Sequence, residues 1–333
     1  MHVPLWVWLA TIAGITALFV FDFVAHVRKP HEPSFREAAW WSVFFIALAV
    51  VFGAGLWWVW GAQHGAEYFA GFITEKSLSV DNLFVFLIIM SKFAVPRAYQ
   101  QKALLIGIII ALILRGLFIA VGAAAIAQFS WVFYLFGLFL LYTAVQLARE
   151  GTGEHDENEA YEPNAMVRWV QKRLPATDEF DGDRLFSVKT GKRLATPLFM
   201  VVIALGMTDV LFALDSIPAI FGLTKEPYIV FTTNAFALLG LLQLYFLIGG
   251  LLKRLVYLSL GLSFILAFIG VKLIVEAMHT NSLPFINGGE PVHLVPEIPI
   301  WLSMTIILGT LVITTVASLI KSRHHAGGVS DSH

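Results

Sequence analysis

No cysteine occurs in the 333 residues, which excludes disulfides, thiolate metal sites, iron-sulfur clusters and a cysteine nucleophile. Charge is scarce as well. Asp, Glu, Lys and Arg make up 14% of the chain, and their net charge of -1 gives no electrostatic case for a nucleic-acid partner. What remains is oxygen and imidazole chemistry on an apolar chain. Hydrophobic residues reach 58% and the mean hydropathy is +0.77. They fall in runs of about 20 residues rather than the stripes of soluble helices, so the chain reads as an all-α polytopic protein of the cell membrane.

The apolar runs predict about nine transmembrane helices, near residues 4–27, 38–60, 67–92, 101–124, 130–149, 196–221, 229–252, 255–278 and 299–320. Connections rich in Lys and Arg alternate with connections that hold only Lys225. By the positive-inside rule the N-terminus then lies outside and the C-terminus in the cytoplasm. The first span has no basic residue before it, so it is expected to be retained rather than cleaved as a signal peptide.

The chain divides into two N-terminal spans (1–66), a three-span unit (67–149), a cytoplasmic loop (150–195), a second three-span unit (196–278), and a last part (279–333) with an exterior loop, one span and a tail. In the loop, "AMVRWVQKRL" has the pattern of an interfacial helix, and "RLFSVKTGKRLATP" that of a hairpin turning at Thr190 and Gly191. The loop is the place for a cytoplasmic partner. No phosphate-binding loop is present, since Gly191-Lys192 lacks the upstream glycine. No enzymatic activity and no permanently bound cofactor are expected.

Two spans carry the chemistry. "EKSLSVDN" sets Glu75 and Asp81 six residues apart with Asn82 following, and "DVLFALDS" sets Asp209 and Asp215 six apart with Ser216 following. Each acidic segment opens a three-span unit, and an odd number of spans turns the second unit upside down, giving the inverted repeats of secondary transporters. Seven residues advance about 700° around a helix, so Glu75 and Asn82 share a face, as do Asp209 and Ser216. The acids six apart are offset by about 120°, and their convergence calls for local unwinding or a wide polar face. Pro218 offers a cause for unwinding, because it frees the Leu214 carbonyl.

A lone carboxylate at mid-bilayer costs about 2.5–3.5 kcal/mol, so these four acids and Asp22 carry a penalty of order 10 kcal/mol if unpaired. Arg115 and Lys272 are bases inside spans and are expected to partner them, but two bases do not neutralise five acids. The surplus implies bound protons or a bound cation. Carboxylate, amide and hydroxyl oxygens suit Mg, Ca or Mn, and zinc fits less well.

"EKSLSVDNLFVF", "ALDSIPAIFGLT" and the nine-span pattern closely resemble the TerC family of integral membrane proteins, the tellurium-resistance group that includes the Alx-type proteins, placed near the lysine-exporter superfamily. The resemblance covers roughly residues 5–322. It implies manganese export, or supply of manganese to exported proteins, with Glu75, Asp81, Asp209 and Asp215 as the metal-site acids, Asn82 and Ser216 beside them, and Asp22, Arg115 and Lys272 coupling charge. The expected activity is export of a divalent cation, manganese first, with protons as the counter-ion; the alternative is an assembly or metalation factor. Several relatives have a Glu three residues before the position of Asp209, where this chain has Gly206.

Overall fold

The computed structural model describes residues 1–27, 34–129, 131–152, 177, 180–189, 192–248, 257–281, 283, 286–292, 296 and 298–327. The proposed interfacial helix, the connection with Lys253 and Arg254, and the end of the tail lie outside these residues.

The helices are α1 (Leu5–Val27), α2 (Phe35–Trp60), α3 (Ala62–Lys92), α4 (Arg97–Gln128), α5 (Val132–Thr152), α6 (Pro197–Phe221), α7 (Pro227–Leu238), α8 (Leu241–Ile248), α9 (Leu258–His279) and α10 (Ile300–Gly327). Local chemistry sets several of their ends. Ser34 caps α2 by accepting from the Glu37 amide at 3.2 Å, with Glu37 at the capping-box position. Thr196 caps α6 by accepting from Phe199, and Pro197 takes the first helical position, where a missing N–H costs nothing. β1 (Phe186–Lys189) pairs antiparallel with β2 (Lys192–Ala195), Lys189 opposite Lys192, the hairpin that the sequence predicts; its expected turn residues Thr190 and Gly191 lie outside the described residues.

Eight helical segments among the described residues are long and apolar enough to cross a membrane. The remaining expected span is α3. It is helical over 31 residues, about 46 Å and ample for a bilayer, but Glu67, Glu75, Lys76, Asp81 and Lys92 keep it from counting as apolar. Such a helix is tolerated when protein surrounds it, and Tyr68, Leu83, Ile89 and Met90 of α3 are buried. Lipid-facing surface falls instead on α1, α2 and α10, which expose Trp6, Trp40, Trp58, Trp301 and Ile313.

The helices pack in cross-unit pairs: α3 along α7, α4 along α6, and α5 along α9. The α5–α9 crossing is close enough that a Cβ on Gly137 would lie 2.8 Å from the Gly270 carbonyl oxygen, and one on Gly270 would lie 2.9 Å from that of Gly137.

Two expectations about interruption are corrected. α6 runs on through Pro218 to Phe221, so the second acidic segment does not unwind there. The expected span 229–252 is the one that breaks. α7 ends at Leu238, Gly240 takes φ +77°, and α8 begins at Leu241.

Candidate functional site

A fully buried arginine organises the site. Arg115 lies on α4 eight residues beyond Gly107, whose missing side chain lets α4 approach Leu205 of α6. Its Nε and Nη2 donate to Asp209 Oδ2 and Oδ1 at 2.7 and 3.1 Å, a forked pair from α4 to α6. Its Nη1 donates to Asn234 Oδ1 at 2.9 Å, to Ser216 Oγ at 3.3 Å and to Glu75 Oε1. One guanidinium therefore ties together α3, α6 and α7, with Glu75 from the first three-span unit and Asp209, Ser216 and Asn234 from the second.

Glu75, Arg115, Asp209, Ser216 and Asn234 are all at most 2% exposed. One cation set against two carboxylates leaves a formal charge of -1 in this knot. Glu75 Oε2 is buried and has no hydrogen-bond partner among the described residues. An unpaired carboxylate oxygen in such a place costs stability and is a ready ligand for a proton or a hard cation.

The sequence-predicted residues are not all gathered here. Glu75, Asp209, Ser216 and Arg115 meet directly. Asn82 is buried on α3 two turns beyond Glu75, and Asp215 is half buried beside Ser216. Asp81 precedes Asn82 on α3, and its side chain lies outside the described residues. Asp22 is buried elsewhere, where its carboxylate accepts from Gln243 Nε2 of α8 at 2.9 Å. Lys272 donates to Ser303 Oγ at 3.3 Å and feels the carboxylates of Glu276 and Glu67. Its place is with that second cluster, where Glu67 accepts from Thr224 Oγ1 at 2.6 Å.

Sequence reasoning missed two residues. Asn234 sits in "FTTNAFALLG", a run whose Thr232, Thr233 and Asn234 are all fully buried, and its Nδ2 donates to Val230 O at 3.1 Å while Oδ1 faces Arg115. The rule that picked out the acids, polar groups inside an apolar span, applies equally to this amide. Lys76 was left out of the charge balance. It is a third intramembrane base, and its Nζ donates to the Ala237 and Leu239 carbonyls at 3.0 and 3.4 Å.

Gly206 packs against Ile110 of α4, and a Cβ there would lie 3.0 Å from Ile110 Cγ2. The glycine thus belongs to the close α4–α6 contact, where an added side chain would press on Ile110. Among the described residues no group of three or more His, Cys, Asp or Glu side chains is positioned to hold a metal ion.

A bundle of membrane-crossing helices around a buried, charge-imbalanced ionic knot defines the class: a polytopic membrane protein with a polar site inside its transmembrane core. The chain belongs to the integral membrane protein TerC family, whose model matches residues 60–326. It is 52% identical over 320 residues to an uncharacterized membrane protein of Mycobacterium tuberculosis, covering 96% of this chain and 80% of the relative. A Myxococcus xanthus membrane protein is 41% identical over 317 residues, covering 95% and 93%. The putative membrane-bound redox modulator Alx of Escherichia coli is 36% identical over 321 residues, covering 93% of each chain. No solved structure matches.

Proposed function

We propose that the protein exports a divalent cation, manganese first, by alternating access around the Arg115 knot, with proton entry as the driving step. The observation that carries this reading is the convergence of Glu75 and Asp209 on one guanidinium from two different three-span units, with a carboxylate left over. In the closed arrangement Arg115 stands in for the cargo. An arriving cation takes the Glu75 and Asp209 carboxylates, with the Asn234 and Ser216 oxygens as neutral ligands, and Arg115 withdraws. These are hard oxygen donors of the kind manganese, magnesium and calcium accept.

Inverted repeats are part of the proposal, and the packing supports them. Gly137 and Gly270 follow Glu75 and Asp209 by 62 and 61 residues, and they meet backbone to backbone, as equivalent positions do at a twofold axis. The pairs α3–α7 and α4–α6 exchange under that axis. The broken α7–α8 segment belongs to the same transporter pattern.

Outward movement of two charges against about 100 mV, inside negative, costs about 4.6 kcal/mol, so export needs coupling. Protonation of the carboxylates on the outer side releases the metal and lets Arg115 return. In this reading the N-terminus is outside, the C-terminus is cytoplasmic and the membrane is the cell's inner or plasma membrane. A redox-modulator role of the kind that some relatives are named for would have to work here without thiol exchange, since this chain has no cysteine, and metal supply is such a route.

The test is flux into vesicles of purified protein, comparing manganese, calcium and magnesium while internal pH is read. Manganese entry with proton movement in the opposite direction is expected, with a severe loss in Glu75→Gln and Asp209→Asn and near-parental flux in Glu290→Gln. Full flux in both carboxylate variants, made at normal levels, sinks the site assignment. A chain lacking residues 153–176 should transport normally; lost function in cells with intact flux in vesicles would favour the loop-centred assembly role.

A further inference from the structure

The break between α7 and α8 leaves a second polar feature in the core that the export mechanism does not use. The last carbonyls of a helix have no intrahelical partner. Leu239 N still donates to Ala235 O at 3.0 Å, but a new ladder starts at Gly240, whose carbonyl accepts from Leu244 N at 3.0 Å. The carbonyls between them have no backbone donor among the described residues, and their setting is apolar, for Ala237, Leu238, Leu239 and Leu241 are at most 1% exposed. Carbonyls left over at the negative end of a helix, away from water, need a hydrogen-bond donor, and the helix dipole favours a cationic one.

Lys76 of α3 supplies it, reaching the Ala237 and Leu239 oxygens. Ser79, three residues on and so on the same side of α3, has a fully buried hydroxyl with no hydrogen-bond partner among the described residues. Ser77 nearby shows the ordinary solution, donating to Ile73 O at 2.7 Å. The break is built into the chain: Gly240 needs its positive φ, and a Cβ there would lie 3.1 Å from Phe45 Cβ.

We propose that the carbonyl oxygens at the α7–α8 break form a binding site for a monovalent cation of sodium or potassium size, and that Lys76 fills this site from within with its own ammonium group. Broken-helix transporters commonly seat a coupling sodium ion on such carbonyls. Here the cation is covalently part of α3, so the protein needs no sodium, and the ammonium ties the broken segment to the helix that carries Glu75. The inference goes beyond the export reading and does not depend on the cargo.

The experiment is thermal unfolding of purified full-length protein in sodium, potassium or choline chloride at one ionic strength, for the parent, Lys76→Ala and Lys76→Met. Lys76→Ala vacates the site and keeps its carbonyls, so its midpoint should rise by about 2–4 °C in sodium or potassium over choline. The parent, and Lys76→Met with its apolar plug, should not respond. A Lys76→Ala protein blind to both ions, or a parent that responds to them, overturns the proposal. Should Lys76→Ala be unrecoverable in choline, Lys76→Ser prepared throughout in sodium takes its place under the same criteria. Failure to recover either variant in sodium also overturns the proposal, because an external cation then does not replace the ammonium.

Discussion

The helices that follow the two acidic segments differ in kind. α4 runs unbroken for 32 residues and carries Arg115, whereas the matching stretch of the second unit is two short helices of 12 and 8 residues with a bend at Gly240. The continuous helix presents a cation, and the broken one presents bare carbonyls and the Asn234 amide. Within the core, two cations of the first unit, Arg115 and Lys76, are held by oxygens of the second. Around these two contacts the first unit acts as donor and the second as acceptor, a division that a bare repeat of acidic motifs conceals.

The sharpest way to break this comparison is to remove the donor. Arg115→Gln leaves Glu75 and Asp209 buried without a counter-charge, and the expected loss is about 3–5 kcal/mol in denaturant or thermal unfolding. Arg115→Lys keeps the charge but not the fork and should fall between the two. Parental stability in Arg115→Gln would mean that the carboxylates are protonated and the knot is not an ion pair.

On the acceptor side, Gly240→Ala puts a side chain on a left-handed residue facing Phe45, and should cost about 1–2 kcal/mol by the same measurement. An unchanged midpoint would mean the break relaxes into continuous helix. Glu67 runs against the general direction, since the first unit accepts there from Thr224. Thr224→Val should cost about 1 kcal/mol, with Thr224→Ser recovering most of it.

The smallest effect belongs to an ion pair outside the core. Lys102 holds Asp183 at 2.8 Å, and that hydrogen bond keeps the Asp183 carboxyl below the ordinary aspartate range. Because the folded-state value is depressed, its stabilisation is present above the unfolded value near pH ~3.9 and disappears as pH falls through the folded value. Lys102→Met should therefore move unfolding by no more than about 0.5 kcal/mol at neutral pH, with no slope between pH 5 and 8 from this pair.

The sequence made the membrane class, the pairing of the hairpin strands and the meeting of Glu75 with Asp209 legible, because long apolar runs and charges inside them have few other uses. It misplaced the interruption. Pro218 looks like a breaker, yet proline near the end of α6 is accommodated within the helix, whereas the real break rests on Gly240, which an apolar span hides among other small residues. The partners of Lys272 and Asp22 were not legible either. Both are intramembrane charges, and only the packing of α9 against α10 and of α8 near α1 decides that they answer to Ser303 and Gln243 rather than to the knot. Asn234 was hidden for a related reason: a neutral amide leaves no mark on a charge balance.

The most direct test of the central claim is manganese binding to the purified protein at neutral pH, followed by calorimetry or by loss of the free-ion paramagnetic resonance signal. One manganese per chain is expected for the parent, with affinity lowered about 100-fold or more in Glu75→Gln and in Asp209→Asn and left unchanged in Asp22→Asn. Parental affinity in both the Glu75 and Asp209 variants would contradict the account, and would return the Arg115 knot to a purely structural part of the fold.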